Sequence, residues 1–412
     1  MSATSLVARV TVAAIGAYAQ HSLVSDIPGL ADQTDANLVN AWGIATSPTG
    51  PFWVTANHSG TSTIYNTTGG VQSLVVTIPP PSGQSPPSGP TGIVFNNTPD
   101  FILDSNGKPA AFIFSTENGT IAAWNAGTTA VIKGDNSGSE AIYKGLALAK
   151  DGAKSFLYAS DFHNGRIDVF DSTFGPVATA GGFVDPSIPD GFAPFNAQNI
   201  DGNLFVTYAK QDAEGHDDVS GLGNGFVNVF DPAGHLLKRF ASNGWLNSPW
   251  GLAVAPDGFG PFSGALLIGN FGDGRIHAFD RALGTPLGTL ADATGSEIAI
   301  PGLWGLKFGN GGNGGAIGTL YFAAGIPGDG AVEDHGLFGS IAPSAPLQIA
   351  AATVQGENLV LRWLGGTGPF HVQKKGRIPD TSWTDVTTTT DSSVQVRRDS
   401  DQEFFRIVDQ SP

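Results

Sequence analysis

Apolar residues in this chain fall in short runs separated by polar, glycine-bearing turns, and the runs repeat. Six times a glycine turn is followed five residues later by a large apolar residue: Ser59-Gly60 by Tyr65, Asn118-Gly119 by Trp124, Asn164-Gly165 by Phe170, Asn224-Gly225 by Phe230, Asp273-Gly274 by Phe279, and His335-Gly336 by Ile341. In phase with these turns, each repeat opens on a short apolar strand: Trp42-Gly43-Ile44, Thr91-Gly92-Ile93, Lys144-Gly145-Leu146, Gln198-Asn199-Ile200, Trp250-Gly251-Leu252 and Trp304-Gly305-Leu306. The openings recur every ~50 residues, the length of one four-stranded blade. The pattern predicts an all-β chain with a six-bladed β-propeller over residues 21–343.

Strands can be followed inside a repeat. In the third, Gly145 to Leu148 is expected innermost, then Phe156 to Ser160, Arg166 to Phe170 and Val177 to Ala180. The sixth has an inner strand at Leu303 to Phe308, a second at Leu320 to Ala323 and a third at Leu337 to Ile341, and then stops. A missing outer strand would leave an open edge. Residues 21–30 precede the first repeat and are expected to supply it, so the ring is closed by its own N-terminus.

After Pro343-Ser344-Ala345-Pro346 the pattern changes. Runs at Gln348 to Thr353, Leu359 to Trp363, Phe370 to Lys374, Val394 to Arg397 and Phe404 to Val408, with a glycine turn at 365–368, predict a small fibronectin-III-like β-sandwich over 347–412, centred on Trp363 and Trp383. Charge supports a boundary there. The whole chain of 412 residues carries a net −16, whereas seven basic and eight acidic residues fall after 346. The acidity therefore belongs to the propeller, and it excludes nucleic acid as a partner, because phosphate binding needs clustered Lys and Arg. Cations, small neutral molecules, carbohydrate or a surface protein suit it better. With no cysteine there is no disulfide, thiolate metal site or Cys nucleophile.

Residues 1–20 read as a secretory signal: Arg9 precedes an apolar run from Val10 to Ala17, and Ala17-Tyr18-Ala19 fits a small-residue cleavage pattern. Export to the periplasm, cell surface or medium is expected. No stretch approaches the ~20 apolar residues of a transmembrane helix.

The segments Leu38-Val39-Asn40-Ala41-Trp42-Gly43-Ile44-Ala45, Gly50-Pro51-Phe52-Trp53-Val54 and Ser62-Thr63-Ile64-Tyr65-Asn66 resemble a family of exported bacterial propeller proteins that has no established activity. Some of its members carry a PEP-CTERM sorting tail, whereas this chain ends in Asp409-Gln410-Ser411-Pro412. At the level of fold the repeats also resemble NHL-type and gluconolactonase-type six-bladed propellers.

Candidate chemistry sits on one face, where the turns before the inner strands and those between second and third strands emerge. Glu117, Asp161, Asn57 and Asn270 occupy nearly equivalent positions in four repeats, and gluconolactonase-type propellers hold a divalent ion, commonly Ca2+, with such a ring. Carboxylate and amide oxygens around one point suit that ion. The competing reading makes these residues turn formers. Trp42, Trp250 and Trp304, with His163 nearby, are candidate ligand-binding residues; the tryptophans would either stack a flat ligand or plug the channel. The long turns at 209–223 and 325–334 should overhang it. No nucleophile elbow, zinc helix or phosphate loop is present. Two functions stay open: a binding or scaffold protein with a ligand or cation site at the channel mouth, and a calcium-type lactone or ester hydrolase.

Overall fold

The computed structural model describes residues 17–328, 332–344, 348–365, 369–377, 382–399 and 403–409. Among them the only helical segments are two single 3-10 turns, Ser137–Ser139 and Gly260–Phe262, and no helix is long and apolar enough to cross a membrane. Most of the expected signal segment lies outside the described residues, as do parts of the 343–346 linker and of the 365–368 turn. The described residues are otherwise strands and turns.

Two compact units divide the chain. The larger takes Gln20–Leu290 and Ile298–Ile341; the smaller takes Ala342–Pro412 with Ala291–Glu297 and the described N-terminal residues up to Ala19.

In the larger unit the strands form mainly antiparallel sheets, five of them four-stranded and built in sequence order and a sixth that also takes in the N-terminal strand. The first is Ala41–Thr46, Phe52–Ala56, Thr61–Tyr65 and Val76–Thr77; the third is Tyr143–Asp151, Lys154–Asp161, Arg166–Phe170 and Pro176–Val177. The sixth holds Leu303–Phe308, Leu320–Ile326 and His335–Ser344, and its next strand is Ala17–Ser25. That N-terminal strand starts four residues earlier than expected and takes in Ala17–Ala19. It is fastened by Ser25 Oγ donating to the Gly336 carbonyl at 2.8 Å and by the Gly336 amide donating to Asp26 at 2.8 Å.

Both faces of these sheets are buried, which is why strands such as Phe112–Thr116 are buried at every residue rather than alternating. Each apolar cluster is shared between successive sheets: Trp53 and Ile64 pack with Phe112 and Phe114, and Ile113 and Ile121 with Leu157 and Phe170. Inner strands neighbour one another in chain order, and Leu303–Phe308 neighbours Ala41–Thr46.

Each inner strand carries one extra residue relative to its partner at the same place. The registers slip between Ala41 and Ile44, Tyr143 and Gly145, Pro194 and Asn196, Pro249 and Gly251, and Leu303 and Leu306. A bulge of this kind re-aims one side chain, and the glycine beside it lets the neighbouring backbone close in. A Cβ on Gly305 would lie 2.5 Å from the Trp42 carbonyl oxygen.

The fourth repeat corrects the expected phase. Its inner strand is Phe192–Ile200, and the bulge falls at Phe195-Asn196-Ala197, three residues before the expected opening. Asn196 stands in the place of the glycine, and its amide donates to the Trp250 carbonyl at 2.8 Å. The polar side chain thus makes the interstrand contact that bare glycine allows elsewhere.

The smaller unit contains two three-stranded sheets. One orders Gln348–Gln355, Asn358–Leu364 and Ser393–Arg397, the other Thr384–Thr389, Phe370–Lys375 and Phe404–Asp409. Trp363 is buried with Leu361, Phe370, Val372 and Val396. Trp383 is half-buried between two cations instead, 4.7 Å from Lys375 Nζ and 4.6 Å from the Arg406 guanidinium. The strand Thr384–Thr389 was not anticipated, because its alternation of threonines gives no apolar signal.

Candidate functional site

The bulged positions of the six inner strands are Trp42, Thr91, Lys144, Phe195, Trp250 and Trp304. Trp42 and Trp304 stack with ring centroids 3.6 Å apart, and Trp250 meets both edge-on at 6.3 and 5.9 Å. Phe195 packs on Trp304 at 5.5 Å, and Phe271 stacks on it at 4.0 Å. All of these except Phe271 are buried. The three tryptophans, expected either to stack a flat ligand or to plug the channel, thus form one aromatic layer. The indole N–H of Trp250 donates to the Lys144 carbonyl at 2.9 Å, while those of Trp42 and Trp304 are buried without a partner among the described residues.

Lys144 is the one charged residue at these six positions. Its side chain is 3% exposed, and its ammonium lies 5.4 Å from the centroid of the Trp42 ring. It donates to Glu117 Oε1 and, at 3.2 Å, to Asp217 Oδ1. Asn57 completes the arrangement by donating to Glu117 Oε2 at 2.8 Å. Above it, Glu333 accepts from the Asn40 amide at 2.9 Å, and the Asn40 oxygen is buried without a partner among the described residues. Asp217 comes from the long turn after Lys210 and Glu333 from the turn after Ile326, the two turns expected to overhang the channel.

The charges tune one another. Burial alone would lower the Lys144 ammonium, but Glu117 and Asp217 together hold it above the ordinary lysine range. Burial pushes the Glu117 carboxyl up; the Lys144 charge and its hydrogen bonds outweigh this and keep it below the usual value. The His216 hydrogen bond, with help from Lys144, holds Asp217 well below the carboxylate range. Glu333 goes the other way: burial and then the nearby Glu117 charge push it up to about 7.

Of the four expected ion ligands, Asn57 and Glu117 are brought together. Asp161 is buried in its own turn, where it accepts from the Asn164 amide at 2.8 Å and the Ile142 backbone at 3.2 Å and pairs with Arg166 at 3.2 Å. Burial raises its carboxyl. Asn270 donates to the Trp245 carbonyl at 2.8 Å and accepts from the Asn247 backbone at 3.2 Å. His163 lies 3.8 Å from Glu140 and lines a cleft of about 380 Å³ with Glu117 and His216.

Among the described residues one cluster has donor atoms close enough for a metal, Glu117, His216 and Asp217, all within 4.8 Å of one another. Lys144 stands between its two carboxylates, and Asn57 turns its amide nitrogen, not its oxygen, toward Glu117. As arranged, this donor set suits an ammonium and does not fit a divalent ion. Lys144 carried a legible signal, since Lys144-Gly145-Leu146 holds the same phase as the three Trp-Gly openings. Asp217 and Glu333 had no such mark.

No family model matches the chain. It is 34% identical over 297 residues to "Uncharacterized protein R648" of Acanthamoeba polyphaga mimivirus, covering 69% of this chain and 72% of that protein. "Uncharacterized protein L690" of the same virus is 32% identical over 305 residues, covering 71% of this chain and 79% of that protein. Among solved structures, an α-L-arabinofuranosidase from Fusarium graminearum has a TM-score of 0.50 at 12% identity, covering 79% of this chain and 98% of that one. A protein of unknown function from Bacteroides thetaiotaomicron has a TM-score of 0.50 at 13% identity, covering 79% and 76%. Virginiamycin B lyase from Staphylococcus aureus has a TM-score of 0.42 at 13% identity, covering 79% and 99%. At these identities the two likenesses with a TM-score of 0.50 speak to the fold alone and not to an activity.

Proposed function

The chain belongs to the same family as the mimivirus proteins R648 and L690, and from that premise we propose a binding protein: a six-bladed propeller, closed by its N-terminal strand, that takes a small polar ligand where Lys144, Glu117, Asp217 and Glu333 gather. The ring is supported by the bulge repeated along the inner strands and by the sixth inner strand lying next to the first. The observation that carries the function is the buried Lys144 ammonium held between Glu117 and Asp217. One ammonium does not cancel two carboxylates, but it occupies the space between them and takes up the oxygens that a divalent ion would need. What remains unmet is hydrogen bonding: a buried acceptor on Asn40 and buried donors on Trp42 and Trp304. Hydroxyl groups, which both donate and accept, suit such a set, and we place the ligand among carbohydrates and other polyols.

The alternative, a calcium-dependent lactone or ester hydrolase, is favoured only by the approach of Glu117, His216 and Asp217. Two measurements on the intact chain separate the readings. In the binding reading, the melting temperature is the same in chelator and in millimolar calcium, and some member of a panel of neutral oligosaccharides binds at least tenfold more weakly to Glu117→Gln, about 1.4 kcal/mol. A calcium-dependent rise in melting temperature that Glu117→Gln removes, equivalent to about 2.7 kcal/mol at 100 times the dissociation constant, would replace the binding reading with the hydrolase.

A further inference from the structure

Beyond the tryptophan layer the inner strands run on to the other end of the channel. There they enclose a cavity of about 650 Å³, with Trp250 among its lining residues. That volume lies in the range of metabolite-sized ligand sites. Its electrostatics differ from the rest of the molecule. The chain has 36 acidic residues against 20 basic ones, yet among the described residues no acidic side chain lines this cavity and two lysines do, Lys150 and Lys307. Amides of Asn97 and Gln198 line it too.

Lys307 is the feature that calls for a ligand. It sits on the inner strand Leu303–Phe308, opposite Tyr321, and is half-buried. Unlike Lys144, it has neither an ion pair nor a side-chain hydrogen bond among the described residues. Burial depresses its ammonium below the ordinary lysine range, with no opposing carboxylate to restore it. Lining a cavity with no carboxylate among its described lining residues, this ammonium gains a charge-assisted hydrogen bond when an anion binds.

We propose that this cavity is a second ligand site, separate from the mouth, for a small organic anion bearing carboxylate or phosphate groups, with Lys307 as the charge that receives it. Lys150 and the amides act as secondary donors.

Citrate serves as the probe and trimethyl citrate as a neutral counterpart of similar shape, each titrated calorimetrically into the intact protein. Citrate should bind at least about tenfold more tightly than the ester, as expected when a charged hydrogen bond is lost. Lys307→Met should lose at least about tenfold in citrate affinity, and Lys307→Arg should stay within about threefold. Glu117→Gln should leave citrate binding unchanged, because Glu117 belongs to the mouth. Lys307→Met should melt no lower than the wild type, since it removes an unpaired charge. Equal binding of citrate and its ester by the wild type, no binding of citrate at all, or undiminished citrate binding by a folded Lys307→Met would each overturn the proposal. The wild-type comparison decides the matter even if the variant does not fold.

Discussion

Lys144 and Lys307 both stand on inner strands, and their surroundings give them opposite characters. Two carboxylates hold the first charged, while the second meets none among the described residues. Glu333 is the titrating member of the mouth. Its carboxyl is pushed from 4.5 to about 7, so the folded protein keeps a proton that the unfolded chain has already released. Stability should therefore fall as pH rises from about 4.5 to about 7, by about 1–3 kcal/mol. Glu117, held low, acts in the opposite direction and only below pH 4.5. Glu333→Gln should flatten the fall and leave the protein more stable than wild type at pH 8, with little difference at pH 5. Denaturant unfolding at the two pH values measures this directly; an equal gap at both would mean that Glu333 is not the group responsible.

At the level of the element, the bulge and its glycine set the geometry of the mouth. The extra residue turns one side chain per inner strand toward the axis, and the glycine lets the next strand approach. Gly305→Ala should be expensive for that reason, because its Cβ would lie 2.5 Å from the Trp42 carbonyl and 3.0 Å from Ile44 Cγ1. The first neighbour is backbone and cannot rotate away. We expect a loss of about 2–4 kcal/mol, the scale of a core overpacked against rigid atoms, read as a lower denaturant midpoint. A midpoint within error of wild type would show that the ring yields at this seam. Asn196 shows how a repeat dispenses with its glycine: the side chain itself bonds the neighbouring backbone.

For the molecule as a whole, the N-terminal strand is the test of closure. Leu23 and Val24 are buried in a cluster with Phe52, Tyr65, Tyr321 and Phe338, so the strand contributes core as well as hydrogen bonds. A chain beginning at Asp26 should leave the edge of His335–Ser344 unpaired and that cluster open, and it should aggregate or melt well below the full chain. Light scattering during a thermal ramp distinguishes the outcomes; an unchanged, monodisperse melt would rule out the closed ring.

The sequence by itself determined the elements. Glycine turns five residues ahead of an apolar anchor repeat because every blade solves the same packing problem, and this periodicity survives wherever side chains only have to be apolar and strands only have to turn. It failed at Phe195-Asn196-Ala197, where an amide replaces a glycine by a different bond, and at Thr384–Thr389, whose polar strand has no apolar alternation. The candidate site was legible in part: Asn57 and Glu117 could be named from their turns, and Lys144 stood in phase with three tryptophans. Only the tertiary structure decided which residues meet. Asp217 and Glu333 are held near Lys144 by long turns whose path no local propensity encodes, and Asp161 and Asn270 are kept in their own turns by hydrogen bonds that a list of residue types does not reveal. Strand spacing is a local property of the chain, whereas the charge around Lys144 depends on residues from Glu117 to Glu333, more than two hundred positions apart.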